Sequence, residues 1–308
     1  MAQDSSSRLL ILGFPRSGTT LLSRLLDAHP DISCPPETNL MSSAARFLAE
    51  QSSVEGPPIG VLSGLEFLGI PGEDLKSALR ALVFGMHERI ANGAPVWVEK
   101  TAVDVFHLEK LEELLAGHAR FIVLVRNPLD VIASNMDLSK AMGAWLDDLH
   151  QAIRSFSNPH IGLAHAWVER NRALDDFTQR NAETCYRLRY EDLTAAPQET
   201  LSGLLNWIGV AAGGATLAER ALTGQPRIGL GDFRINTMSE ILPADPKAWR
   251  SRLPPASAAR VLPIVAQLMK VHGYDVPKIP PSPTREDAIR QFQMAAQIKR
   301  DTLNSSTD

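Results

Sequence analysis

Two stretches of this chain gather cations and hydroxyls where a strand gives way to a helix. The first reads Leu9-Leu10-Ile11-Leu12-Gly13-Phe14-Pro15-Arg16-Ser17-Gly18-Thr19-Thr20. Its apolar start predicts a buried strand, its glycines a turn, and the residues from Gly18 onward a helix. The N–H groups that open a helix have no intrahelical acceptor, and the helix dipole adds partial positive charge beside them. Such a junction suits an anionic phosphate. Arg16 puts a guanidinium into the turn, and Ser17, Thr19 and Thr20 add hydroxyl donors.

The interval from Gly13 to Gly18 is the glycine frame of an ATP-binding phosphate loop, but position 19 is Thr where those loops carry Lys. Losing the cation that reaches a terminal phosphate argues against phosphoryl transfer from ATP. A kinase or nucleotidase stays open as a rival, as does a binding module that keeps only the phosphate pocket.

The second stretch reads Phe121-Ile122-Val123-Leu124-Val125-Arg126-Asn127-Pro128-Leu129-Asp130-Val131-Ile132-Ala133-Ser134. Arg126 ends a predicted strand at the carboxyl edge of a sheet, where open α/β folds bind ligands. Pro128 suits a first helical turn, and Ser134 falls about two turns further on. A guanidinium and a hydroxyl that converge on one phosphate make use of both groups. A strand-end Arg that merely caps a helix is the plainer alternative.

The elements that must position these residues follow from four apolar runs, residues 8–14, 95–99, 120–126 and 185–190. Each precedes a stretch of helical spacing: residues 18–28, 105–115, 128–137 and 197–208. Strands alternating with amphipathic helices predict a parallel sheet covered on both faces. The fold class is α/β, a P-loop-type three-layer sandwich with a central parallel sheet, right-handed crossovers and helical insertions. Residues 39–50 and 74–92 form the main insertion, either a cap over a site or packing at the sheet edge. A further helix is expected over residues 256–272. Residues 1–275 make one domain. Residues 276–283, with four prolines, read as a linker, and 284–303 as an exposed helix that could serve a homodimer.

Residues 14–20 resemble the 5′-phosphosulfate loop of sulfotransferases that use 3′-phosphoadenosine-5′-phosphosulfate (PAPS). The continuation through Asp27-Ala28-His29-Pro30 is similar to the tyrosylprotein-sulfotransferase branch and its bacterial relatives. The resemblance implies that Arg16, Ser17, Gly18, Thr19 and Thr20 hold the 5′ end of PAPS and that Arg126 and Ser134 hold its 3′-phosphate. It places Tyr190, in the Tyr190-Glu191-Asp192-Leu193 segment, near the adenine. Arg227, in a segment similar to the family's basic glycine-rich stretch, becomes a cofactor contact.

Transfer of a sulfuryl group needs a base for the acceptor proton and positive charge for the leaving phosphate. The cytosolic branch uses a His after Lys-Thr, but this chain reads Lys100-Thr101-Ala102. The tyrosylprotein branch uses a Glu in Glu-Thr-Arg, and Glu37-Thr38-Asn39 stands at that place. The resemblance therefore implies Glu37 as base, with Lys100 and Arg16 stabilising charge. The plainer reading of Glu37 is an acid that complements a helix dipole. Asn39 replaces the branch's Arg, and Leu138 stands where a second Arg is expected. Both departures favour a small-molecule or carrier-bound hydroxyl over a peptidyl tyrosine, which remains the alternative.

Composition narrows the rest. With 31 basic and 35 acidic side chains and a net charge of −4, there is no broad basic face for nucleic acid. Two cysteines, Cys34 and Cys185, make no disulfide framework, and no metal-ligand spacing appears, so no metal is expected. No apolar run reaches the roughly 20 residues of a membrane span, and the polar start carries no targeting signal. The expectation is a cytoplasmic enzyme. His107, His150, His160, Trp145 and Met142 are candidates for the acceptor pocket, with ordinary packing as the plainer account of each.

Overall fold

The computed structural model describes residues 7–52, 56–211, 217–223, 240–279, 289–290 and 292–294. In chain order these form β1 (Arg8–Leu12), α1 (Thr19–Asp27), β2 (Ile32–Ser33), α2 (Leu40–Phe47), α3 (Val61–Phe67), α4 (Gly72–Ala91) and β3 (Val96–Glu99). A 3-10 turn at Asp104–His107 leads into α5 (Leu108–Leu115). Then come β4 (Arg120–Val125), α6 (Pro128–Met142), α7 (Asp147–Ile153), α8 (Pro159–Arg180), β5 (Cys185–Arg189), α9 (Tyr190–Ala195), α10 (Pro197–Ile208), α11 (Leu217–Thr223) and α12 (Pro255–Val271).

The strands make one sheet in the order β2-β3-β1-β4-β5, and every pairing is parallel. Alternation along the central strands divides their apolar side chains between two layers. Leu9, Ile11, Ile122 and Leu124 pack with the leucines of α1 and α10 on one face. Leu10, Leu12, Phe121 and Val123 pack with α2, α5 and the end of α8 on the other. A third cluster, built on α6, α7, α8 and α12 around Trp167, buries Phe14 completely. The three-layer α/β sandwich expected from the sequence is the one formed.

Several boundaries differ from expectation. The first strand stops at Leu12, and Gly13, which follows it, lies so close to β4 that a Cβ there would sit 2.7 Å from the Leu124 carbonyl. Tyr190 opens α9 instead of closing β5, and α6 continues beyond residue 137 to Met142. β2, α3, α7, α8, α9 and α11 were not anticipated. Of the expected C-terminal helix, residues 289–290 and 292–294 are helical, and the remainder lies outside the described residues. No helix among the described residues is long and apolar enough to cross a membrane.

Candidate active site

The chain leaves β1 through Gly13 and enters α1 at Gly18, which adopts φ 97° as N-cap. Arg16 also has positive φ, 76°, a conformation that costs a non-glycine residue about 1–2 kcal/mol. The turn is held from three sides. Ser17 N donates to the Phe14 carbonyl at 3.0 Å, and buried Phe14 anchors the turn from below. Asn135 Nδ2, on α6, donates to the Pro15 carbonyl at 2.9 Å.

The second stretch closes on the first. Arg16 Nε donates to Ser134 Oγ at 3.0 Å, and Arg126 Nη1 donates to the Arg16 carbonyl at 3.2 Å. Arg126 stacks over the Tyr190 ring, 4.0 Å from its centroid. The same ring covers Gly18 so closely that a Cβ there would lie 2.2 Å from Tyr190 Cδ2. Tyr190 thus braces the two loops. What the sequence presents as two cradles is one continuous lining.

Lys100 and Glu37 meet beside it. Lys100 follows β3 directly and is 2% exposed. Its Nζ lies 2.7 Å from Glu37 Oε1 and 3.3 Å from Thr20 Oγ1, in the first turn of α1. Glu37 stands three residues before α2 and is turned onto Lys100. Beneath this pair, Glu99 is buried and accepts from both Thr38 Oγ1 and Thr101 Oγ1.

The structure therefore brings Arg16, Ser17, Gly18, Thr19, Thr20, Arg126, Ser134, Tyr190, Glu37 and Lys100 to one place. Arg227 lies outside the described residues. Of the side chains suggested for an acceptor pocket, His107 borders a cavity of about 810 Å³ between α2, α5 and α8. Trp145 packs on the third apolar cluster, and Met142 is exposed.

Four contributors were missed: Asn135, Glu99, Glu191 and Asp104. Glu191 accepts from Asn127 N at 3.0 Å and from Tyr274 Oη at 2.9 Å, and so fixes the turn that carries Arg126. Asp104 is fully buried, and among the described residues neither of its carboxylate oxygens is hydrogen-bonded. Burial first, then the nearby Glu99 and Glu37, raises its pKa well above the ordinary value. Asp130, in the first turn of α6, is pushed up to about 6, mainly by burial. The Glu191-Asp192 pair beside Tyr190 was the one visible hint; the others carry no local signal.

The model of the sulfotransferase family matches residues 8–212. The chain belongs to the sulfotransferase family. It is 27% identical to protein-tyrosine sulfotransferase 1 of Danio rerio over 292 residues, which cover 91% of this chain and 76% of that protein. It is 28% identical to nodulation protein NoeE of Sinorhizobium fredii over 290 residues, covering 89% of this chain and 68% of the relative. Among solved structures, the sulfotransferase domain of the Synechococcus PCC 7002 olefin synthase superposes with a TM-score of 0.62 at 24% identity. That match covers 89% of this chain and 97% of the domain, and it is a likeness of fold.

The enzyme is a sulfotransferase, and its loops fit PAPS as the sulfuryl donor. Ser17 Oγ and Arg126 Nε are buried side-chain donors with no hydrogen-bond partner among the described residues. Buried polar groups are seldom left so. One sits in the turn after β1, the other at the end of β4, where the oxygens of a doubly phosphorylated nucleotide would satisfy both. The residues that would hold the donor are Arg16, Ser17, Thr19 and Thr20 at its 5′ end and Arg126 with Ser134 at the other.

Proposed function

We propose that this sulfotransferase acts on the hydroxyl of a small-molecule or carrier-bound acceptor, with Glu37 as general base and Lys100 and Arg16 as stabilisers of charge. The observation that carries this reading is the contact of Glu37 Oε1 with Lys100 Nζ at 2.7 Å, at the N-terminal turn of α1. A base and a cation then share the point where acceptor and donor must meet.

Bound PAPS supplies the sulfuryl group and departs as the bisphosphorylated nucleotide. The protein's part is positional and electrostatic. Glu37 accepts the acceptor's hydroxyl proton, a contribution worth about 10²- to 10⁴-fold in rate. Lys100 reaches both Glu37 and Thr20, so one ammonium serves the carboxylate and the phosphate end of α1. Arg16, fixed through Ser134, holds its charge beside the same oxygens without reorganisation.

Asn39 bears on the acceptor. Where the tyrosylprotein branch places an Arg, this residue has φ 58° as N-cap of α2, and its N–H donates to Thr101 Oγ1 at 3.3 Å. Asn tolerates the left-handed conformation well. The position serves the backbone and adds no cation for a peptide. The similarity to protein-tyrosine sulfotransferases makes a tyrosine peptide the acceptor to compare against.

The test supplies PAPS with a panel comprising phenol, a primary alcohol, a carrier-bound β-hydroxyacyl group and a tyrosine peptide. Small or carrier-bound acceptors should turn over faster than the peptide; the reverse order refutes the assignment. Glu37→Gln, which can still hydrogen-bond Lys100, should lose turnover by at least about 10²-fold. Affinity for 3′-phosphoadenosine-5′-phosphate (PAP), measured by calorimetry, should stay near wild type. Collapse of PAP binding would make Glu37 structural.

A further inference from the structure

Glu37 and Lys100 are each followed by a threonine, and both threonines lead to the same carboxylate. Thr38 Oγ1 donates to Glu99, 3.0 Å from Oε1 and 3.0 Å from Oε2. Thr101 Oγ1 donates to Glu99 Oε1 at 2.9 Å. Each hydroxyl also accepts a backbone N–H at the start of α2: Leu40 N reaches Thr38 Oγ1 at 3.1 Å, and Asn39 N reaches Thr101 Oγ1 at 3.3 Å. Both hydroxyls therefore have their single proton committed to Glu99 and a lone pair committed to the helix.

Glu99 can serve as this anchor because of where it lies. It ends β3 and is 1% exposed. His87 of α4, stacked on Trp97 at 4.3 Å, places Nε2 3.3 Å from Glu99 Oε2, although without hydrogen-bond alignment. Glu99 and Lys100 are consecutive, so Lys100 turns up to the α1 terminus while Glu99 stays beneath it. A carboxylate that accepts hydroxyl protons in a dry setting holds them more firmly than water would.

We infer that Glu99 is a positioning residue of this sulfotransferase: through Thr38 and Thr101 it fixes the approach of Glu37 to Lys100 before either substrate arrives. The inference rests on the reading of Glu37 as base. It goes beyond that reading in assigning the precision of the site to a carboxylate that touches neither donor nor acceptor. A misplacement of about 1 Å at a reacting group can cost about 10²-fold in rate. A merely structural tie between β3 and α2 would instead change stability and leave turnover per folded molecule alone.

The experiment uses the full chain and the fastest acceptor of the panel above. Thr38→Val and Thr101→Val remove the hydroxyls at nearly constant volume, while Thr38→Ser restores one. Each valine variant should lower kcat about 10- to 100-fold with PAP affinity within about twofold, and the serine variant should recover most of the loss. Amide hydrogen exchange at Asn39 and Leu40 should speed up in the valine variants and return in the serine variant.

The decisive readout is the double variant with Glu37→Gln, because residues acting through one another are not additive. Thr38→Val should cost that background less than about twofold. Valine variants with wild-type kcat overturn the inference, as does an equal loss in both backgrounds. Should Glu37→Gln itself keep wild-type turnover, the base assignment fails. The anchor is then judged separately by hydrogen exchange, and unchanged protection at Asn39 and Leu40 in Glu99→Gln rejects it.

Discussion

Asp130 offers a quantitative check on the Arg126 turn. It lies in the first turn of α6, is 5% exposed, and leaves Oδ1 buried without a hydrogen-bond partner among the described residues. Burial pushes its pKa from 3.8 up to about 6; Arg126 pulls it down and Glu191 adds to the rise. The folded chain thus binds this proton more tightly than the unfolded chain. Stability from this carboxyl is fully present below the unfolded value of 3.8 and is lost as pH rises to about 6. The loss is about 3 kcal/mol, at about 1.4 kcal/mol per tenfold in proton affinity. Asp130→Asn keeps a neutral side chain at every pH and should escape it. For a chain of 308 residues, that difference is a Tm about 4–5 °C above wild type at pH 8, shrinking toward zero near pH 4. Differential scanning fluorimetry between those limits reads it directly. A gap that stays constant with pH, or a variant less stable at pH 8, would refute the reasoning.

Two further outcomes are expected. Gly18→Ala combines a backbone at φ 97° with a Cβ 2.2 Å from Tyr190 Cδ2, so the brace between the loops must move. PAP affinity by calorimetry should fall at least about tenfold, given a cost of 1–2 kcal/mol or more, and an affinity within twofold of wild type would contradict the brace. Asp104, whose pKa burial holds well above the ordinary range, costs the fold more as pH rises, by the same sign as Asp130. Asp104→Asn should stabilise the chain more at pH 8 than at pH 5 in urea titrations, and a variant destabilised at pH 8 would show that the carboxylate has a partner worth keeping.

How much of this was legible in sequence depends on how local each feature is. The runs over β1, β3 and β4 are buried or nearly so in the interior of the sheet and show as nearly continuous apolar stretches. The turn at residues 13–18 shows because its glycines, Arg16 and hydroxyls are neighbours in the chain. β2 has two residues and exists only through its pairing with β3, so it has no period to read. α8 is 22 residues long, but much of its buried face is Gly162, Ala164, Ala166 and Asn171, residues small or polar enough to hide an apolar stripe. Asn135, Glu99 and Glu191 escaped for a related reason. Each acts on a partner 61 or more positions away, and each looks by itself like an ordinary polar residue. The bond from Arg16 to Ser134 spans 118 positions, so two motifs that are separate in sequence become one surface only when β1 and β4 pair.

That pairing also assigns the roles around the donor. Every site residue leaves from, or lies beside, the carboxyl end of a parallel strand, where such sheets bind ligands. β1 lies centrally and delivers the phosphate turn; β3 is its neighbour on one side and β4, followed by β5, on the other. Lys100, with Glu37 and the Glu99 anchor, therefore stands on the β3 side. Arg126, Ser134 and Tyr190 stand on the β4 and β5 side. On the proposed reading, strand order alone separates the group that accepts a proton from the groups that hold the far end of the nucleotide. Substitutions on the β3 side should change turnover and leave PAP affinity nearly intact, whereas those at Arg126, Ser134 or Tyr190 should weaken PAP before they touch the chemical step. If a β3-side variant and a β4-side variant lost PAP affinity alike, the sheet would not be dividing the labour, and both assignments would have to be withdrawn together.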